Sequence, residues 1–151
     1  MPPSYPAPPV RVAGHVAADP ETVFAFLSDT RNDPAWCPNV TDVTQVNGVG
    51  VGVGSAFRFH QRVEMRGRVL ESDVDVEIVE LGERSIRWRV EDKFQIRDVR
   101  IEVSPKGDGS VVEQITTAMF KRKPGIAKWL YPMLARRTFK DQFRHLADHF
   151  S

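Results

Sequence analysis

Cysteine is almost absent: Cys37 is the only one in 151 residues, which excludes an internal disulfide. Without a staple the fold must rest on an apolar core, and a chain of this length buries about two-thirds of its unfolded surface. No apolar run approaches the roughly 20 residues of a membrane span. The opening stretch MPPSYPAPP has no apolar signal core, so the cytoplasm is the expected location. An excess of one charge is lacking too, since 21 bases face 20 acids. The distribution is uneven, however. Lys121 to Arg144 holds eight Lys/Arg against Asp141 alone, and the rest of the chain is acidic.

Catalytic motifs are also missing. Cys37 sits in Trp36-Cys37-Pro38 with no base nearby in sequence, and a buried, inert thiol is the default. His15 and His60 fall on expected strands, and neither has an assignable carboxylate partner. Asp141, His145 and His149 have metal-ligand spacing. They lie opposite the apolar stripe of their helix, on a face expected to be solvated. No catalytic residue and no metal site is assigned. The run NGVGVGVGSAF, with glycine at 48, 50, 52 and 54, lacks both the dinucleotide spacing and the Gly-Lys-Ser/Thr of a phosphate loop. It leads into an alternating stretch instead of a helix, so it joins two strands.

What is present reads as one domain. Residues 1–9 form a proline-rich tail, extended or disordered, and residues 10–151 form the domain. Val10 to Ala17 alternates as a first strand. Asp19-Pro20 opens a helix, with Asp19 as its N-cap and Pro20 in its first position. The stretch NDPAWCPN is a short second helix or turn. Strands follow over Val40–Val46, Ala56–Glu64, Val69–Leu81, Ser85–Lys93, about Ile96–Val103, and Val111–Phe120. Turns are expected near Arg66-Gly67 and over SPKGDGS. The remainder to Phe150 is helical, with Pro132 expected to restart or kink it. Runs of strands with helices set apart make an α+β domain.

This order, with the stretches ADPETVFAFLSDTRNDPAWCPNV, GVGVGSAFRF, ERSIRWRV and PKGDGSVVEQIT and the terminal helix, resembles the START-like or SRPBCC superfamily. Within it, the chain is similar to the bacterial polyketide cyclase/dehydrase and lipid-transport group, over about residues 10 to 150. The resemblance implies the helix-grip fold. That is a curved, seven-stranded antiparallel sheet wrapped around a long C-terminal helix, with two short helices between strands one and two. It implies a void between sheet and helix, with the loop of Gly48, Gly50, Gly52 and Gly54 overhanging its mouth as a gate. The alternative for that loop is a flexible hairpin tip with no gating role.

Strand alternation splits the faces. Phe57, Phe59, Gln61 and Val63 share one; Val74, Val76 and Ile78 another; then Ile86, Trp88 and Val90; Val99, Ile101 and Val103; and Val112, Gln114, Thr116, Ala118 and Phe120. The expected ligand-binding set is Trp36, Phe57, Phe59, Gln61, Val74, Val76, Trp88, Val90, Ile101, Val112, Gln114, Thr116 and Phe120. Arg136 joins it, at about 20° from Phe143 on the final helix. A mostly apolar wall with a few neutral polar groups suits a small-molecule pocket. Expected function is therefore binding or carriage of a lipid-like or aromatic polyketide-like molecule, without a cofactor. A cyclase, aromatase or dehydratase acting in the same cavity is the alternative, and a module with a filled core is the third. Lys121, Arg122, Lys123 and Lys128 beside Trp129, Leu130 and Tyr131 suit weak contact with an anionic membrane; the alternative is a solvated helix start. No nucleic-acid partner is expected, and oligomeric state is open.

Overall fold

The computed structural model describes residues 5–65 and 67–151. Eight antiparallel strands form one sheet: β1 (Tyr5–Pro6), β2 (Val10–Val16), β3 (Val40–Asn47), β4 (Ala56–Met65), β5 (Arg68–Leu81), β6 (Ser85–Glu91), β7 (Gln95–Lys106) and β8 (Gly109–Phe120). Two helices, α1 (Pro20–Ser28) and α2 (Ala127–His149), and a 3-10 helix (Thr30–Ala35) complete the fold. From β8 to β3 each strand pairs with the one before it in sequence, while β1 and β2 both pair with β8 at the far edge.

The eighth strand corrects the expected seven. It comes from the proline-rich segment: Tyr5 lies opposite Phe120, Pro6 lies opposite Met119, and Ala7 donates to the Ala118 carbonyl at 2.9 Å. Proline is tolerated here because β1 is an edge strand. The part of the tail before Tyr5, and Arg66 of the expected turn, lie outside the described residues. The turn expected over SPKGDGS is narrower than read, because β7 runs on through Lys106 and β8 starts at Gly109.

Local chemistry explains the helices. The Asp19 carboxylate accepts from the Thr22 amide at 3.0 Å and from its hydroxyl at 2.7 Å, capping α1 as its sequence predicts. Asp29 accepts from the Arg31 amide and pairs with the Arg31 guanidinium, which opens the 3-10 helix. Helix α2 runs unbroken through Pro132. Pro132 falls in the second turn, so the helix forgoes the one hydrogen bond an amide there would donate to the Lys128 carbonyl. Among the described residues, no helix is long and apolar enough to cross a membrane.

Outward charges pair across strands, for example Arg58 with Asp75 at 2.8 Å and Arg87 with Asp98 at 2.6 Å. These groups are exposed and each pair adds little. Burial carries the stability. Phe57, Ile78, Ile86, Ile101 and Val112 from the sheet are sealed with Leu27 of α1 and Leu146 of α2. Irregular register between β3 and β4, and between β5 and β6, marks bulges that bend a sheet.

Helix α2 makes its extensive backbone approach to β2. The contact point is Gly14, whose missing Cβ makes room for the Phe143 ring. A Cβ built there would lie 3.0 Å from Phe143 Cδ2. We expect Gly14→Val to cost about 1–3 kcal/mol, although valine is the better strand former. Urea unfolding measures this, and an unchanged midpoint would mean that Phe143 is not seated there.

Candidate ligand-binding cavity

The inner face of the sheet is packed solid at one end and open at the other. At the end next to the glycine loop, Phe57 and Ile78 are fully buried, and Ile86, Val103 and Val112 are sealed beside them. The next inward residue along each of these strands lines a void: Phe59, Val76, Trp88, Ile101 and Gln114. Gln61, Val90, Val99 and Arg97 extend this wall. The 3-10 helix adds Thr30 and Asp33, its C-cap and the segment after it add Trp36, Cys37 and Asn39, β3 adds Val40, and α2 closes the space with Phe139 and Gln142. The cavity volume is about 110 Å³. An apolar cavity of about 150 Å³ holds benzene, so this smaller, partly open space encloses at most one ring. It opens partly to solvent.

Of the expected set, Trp36, Phe59, Gln61, Val76, Trp88, Val90, Ile101 and Gln114 therefore lie together around one void. Phe57, Val74, Val112 and Thr116 face inward but are buried in the packed core, outside the void. Thr116 acts at one remove, because its hydroxyl accepts from Gln114 Nε2 at 3.2 Å. Phe120 packs edge-on against Tyr131, with ring centroids 5.4 Å apart, and does not line the cavity. Arg136 is exposed. The buried stripe of α2 runs through Ala135, Phe139, Phe143 and Leu146. It is centred about 50° from Phe143 on the side away from Arg136, so taking Phe143 as the centre misplaced that arginine.

The glycine loop does not line the cavity either. Gly48, Gly50 and Gly54 have φ of 77°, 69° and 91°, backbone that favours glycine. The loop is held at its base. Gln45 bonds both the amide and the carbonyl of Gly50, Asn47 donates to the Gly54 carbonyl, and the Gly54 amide donates to the Ile78 carbonyl. It caps the packed end of the sheet, with Val49 99% exposed at its tip.

Sequence reading missed Arg97 and Asp33. Alternation back from Val99 reaches Arg97, so that signal was available. Asp33 comes from the irregular 3-10 helix, where no period applies. Its carboxyl turns into the cavity wall, and burial pushes its pKa up to about 8; the neighbouring Trp36 indole N–H opposes this slightly, and the Asp29 charge adds to it. Trp36 and Asp33 are close without reaching hydrogen-bond geometry, since Trp36 Nε1 is buried and unpartnered. The Cys37 thiol is pushed well up by burial and then by Asp33, as suits an inert thiol.

His60 lies on the outer face with two carboxylates the sequence did not reveal, Asp73 at 3.2 Å and Glu71 at 3.6 Å. His149 stacks on Phe26 with centroids 4.4 Å apart, and His145 lies 4.0 Å from Asp141. Among the described residues, no three potential ligands converge on a metal position.

The family profile described as polyketide cyclase / dehydrase and lipid transport matches residues 8–151. The chain belongs to that family. Both roles in the description handle hydrophobic small molecules, and binding such a molecule is the general role that membership supports. No curated protein sequence matches the chain. Solved structures show the same fold. A START superfamily protein from Mycobacterium smegmatis is 18% identical, covers 94% of this chain and 96% of its own, and superposes with a TM-score of 0.74. Ginseng major latex-like protein 151 from Panax ginseng is 15% identical, covers 95% and 97%, and has a TM-score of 0.69.

A half-buried acid whose pKa is raised by desolvation of its carboxyl makes stability depend on pH. Its contribution is complete below the unfolded value of 3.8 and is lost as pH rises toward about 8, because the unfolded chain gives up the proton first. Asp33→Asn removes this loss. We expect the variant to melt above wild type at pH 8 and the difference to shrink toward pH 4. Parallel melting curves at every pH would show that the Asp33 carboxyl is not desolvated.

Proposed function

We propose that this protein binds a small, mainly apolar molecule, aromatic polyketide-like or lipid-like, in the cavity between the sheet and α2. One observation supports it most: aromatic and aliphatic side chains from five strands, the 3-10 helix and α2 surround a void that the core leaves unfilled. A core that served stability alone would close it, since unfilled volume costs stability. Catalysis in the same cavity is the second reading, supported by Asp33. A neutral carboxylic acid near pH 7 is able to protonate a carbonyl oxygen. The Cys37 thiol is held neutral by burial, and no histidine or second carboxylate lines the cavity, so no base partner accompanies that acid, and binding is the better reading.

Fluorescence tests it. Trp88 is 7% exposed and lines the void, so an apolar guest should change its emission. Single-ring aromatics and short-chain lipids should bind with Kd below roughly 100 μM, with the response lost in Trp88→Phe. Failure of every apolar class would leave the filled-core module.

A membrane contact is supported separately. Ile126, Trp129, Leu130 and Met133 are exposed on one side of the start of α2, Trp129 by 79%. Arg122, Lys123 and Lys128 lie beside them. Tyr131 is turned inward against Phe120, and Lys121 is held by Glu91 at 2.7 Å, so neither belongs to this surface. Apolar side chains flanked by bases suit an anionic leaflet. We expect co-sedimentation with anionic but not neutral vesicles, weakened by salt and by Trp129→Ala or Arg122/Lys123/Lys128→Ala. Equal recovery in the supernatant throughout would exclude it.

A further inference from the structure

Arg97 differs from the arginines that are paired on the outer face of the sheet. Arg58, Arg84, Arg87, Arg89 and Arg100 each meet a carboxylate. Arg97 has none within ion-pair distance among the described residues. Its Nε is shut off from solvent and has no hydrogen-bond partner. Its place on the inner face, opposite Val90 of β6 and Ala118 of β8, puts it in the cavity wall. On the neighbouring strand of the same wall, the Trp88 indole N–H is also buried without an acceptor. A guanidinium Nε and an indole donor shut off from water without acceptors are costly to maintain. Both costs fall if the guest brings the missing acceptor.

The charge balance of the cavity decides what kind of acceptor. The charged or titratable side chains that line it are Asp33, Cys37 and Arg97. Asp33 holds its proton near pH 7 and the Cys37 thiol is neutral. The lining then carries one positive charge and no negative one, while Tyr131 and, beyond the lining, the Asp92 carboxylate share the neighbourhood of Arg97. A neutral guest leaves that charge unpaired, whereas an anion neutralises it. A planar carboxylate also matches the fork of a guanidinium.

Resting on the reading that this cavity takes an apolar guest, we propose that it selects a small organic acid, an apolar body of about one ring carrying a carboxylate that pairs with Arg97. The neutral Asp33 is then a further requirement, because its ionised form in the wall of the same small cavity would repel the guest's carboxylate. Of the groups facing Asp33, Asp29 keeps its negative charge near neutrality, held low by its bond with Arg31. Trp36 carries no charge, so the pH response near 8 belongs to Asp33.

The test compares 3-phenylpropionate with its methyl ester and its alcohol by calorimetry at pH 7. The acid should bind about ten- to a hundredfold tighter than either neutral compound, the scale of a hydrogen bond to a charged group. Arg97→Met, checked by circular dichroism for folding, should abolish that preference while the ester still binds. The preference should also decline as pH rises through about 8, and Asp33→Asn should remove the decline. An ester bound as tightly as the acid by wild type would overturn the acid head while leaving the apolar cavity intact, and this comparison needs no variant. If none of the three compounds bound, the cavity reading itself would fail and the proposal with it.

Discussion

The contact between Phe143 and Gly14 fixes everything else in this fold. Because β2 offers bare backbone there, α2 comes close to the edge of the sheet. Among the described residues the helix makes no comparable backbone approach to the other strands. The wedge between them has to be filled. At the end next to the glycine loop Phe57, Ile78, Ile86, Val103 and Val112 fill it. At the other end the fill stops, and the 3-10 helix supplies a wall in place of a plug.

That wall is chemically uneven, and the unevenness has a direction. Its sheet side is mostly apolar, with Gln61, Gln114 and Arg97 set into it. Its 3-10 helix side brings Asp33 and Trp36. Placing Arg97, Asp33 and two indole N–H groups where water is scarce costs stability, and leucines at the same positions would cost none. Sequences that depart from good core chemistry at one place do so where function is carried. On our reading the departures mark the end of the cavity that holds the polar head of a guest, while Phe59, Val76, Ile101 and Phe139 hold its body.

Much of this was legible in the sequence, and the limits are physical. Period-two alternation assigned the inward faces of β4 to β8, from Phe57–Phe59 to Gln114–Thr116, because a strand has only two faces. It carries no information about depth along the strand. Phe57 and Phe59 look alike in sequence, yet one is in solid core and the other lines the void. Asp19 and Pro20 announced α1 because capping is local. The strand at Tyr5–Pro6 was invisible because a two-residue edge pairing depends on what lies at Met119–Phe120. Arg136 was misread because a helix stripe was centred on one phenylalanine, and Asp33 was missed because a 3-10 turn has no amphipathic period to follow.

The central claim is that a guest-sized apolar space lies between the sheet and α2. A crystal structure under xenon pressure tests it most directly, since xenon enters dry apolar cavities without needing any particular head group. The account predicts a xenon site among Phe59, Val76, Trp88, Ile101 and Phe139. Well-ordered side chains in mutual contact there, with no xenon density between them, would contradict it.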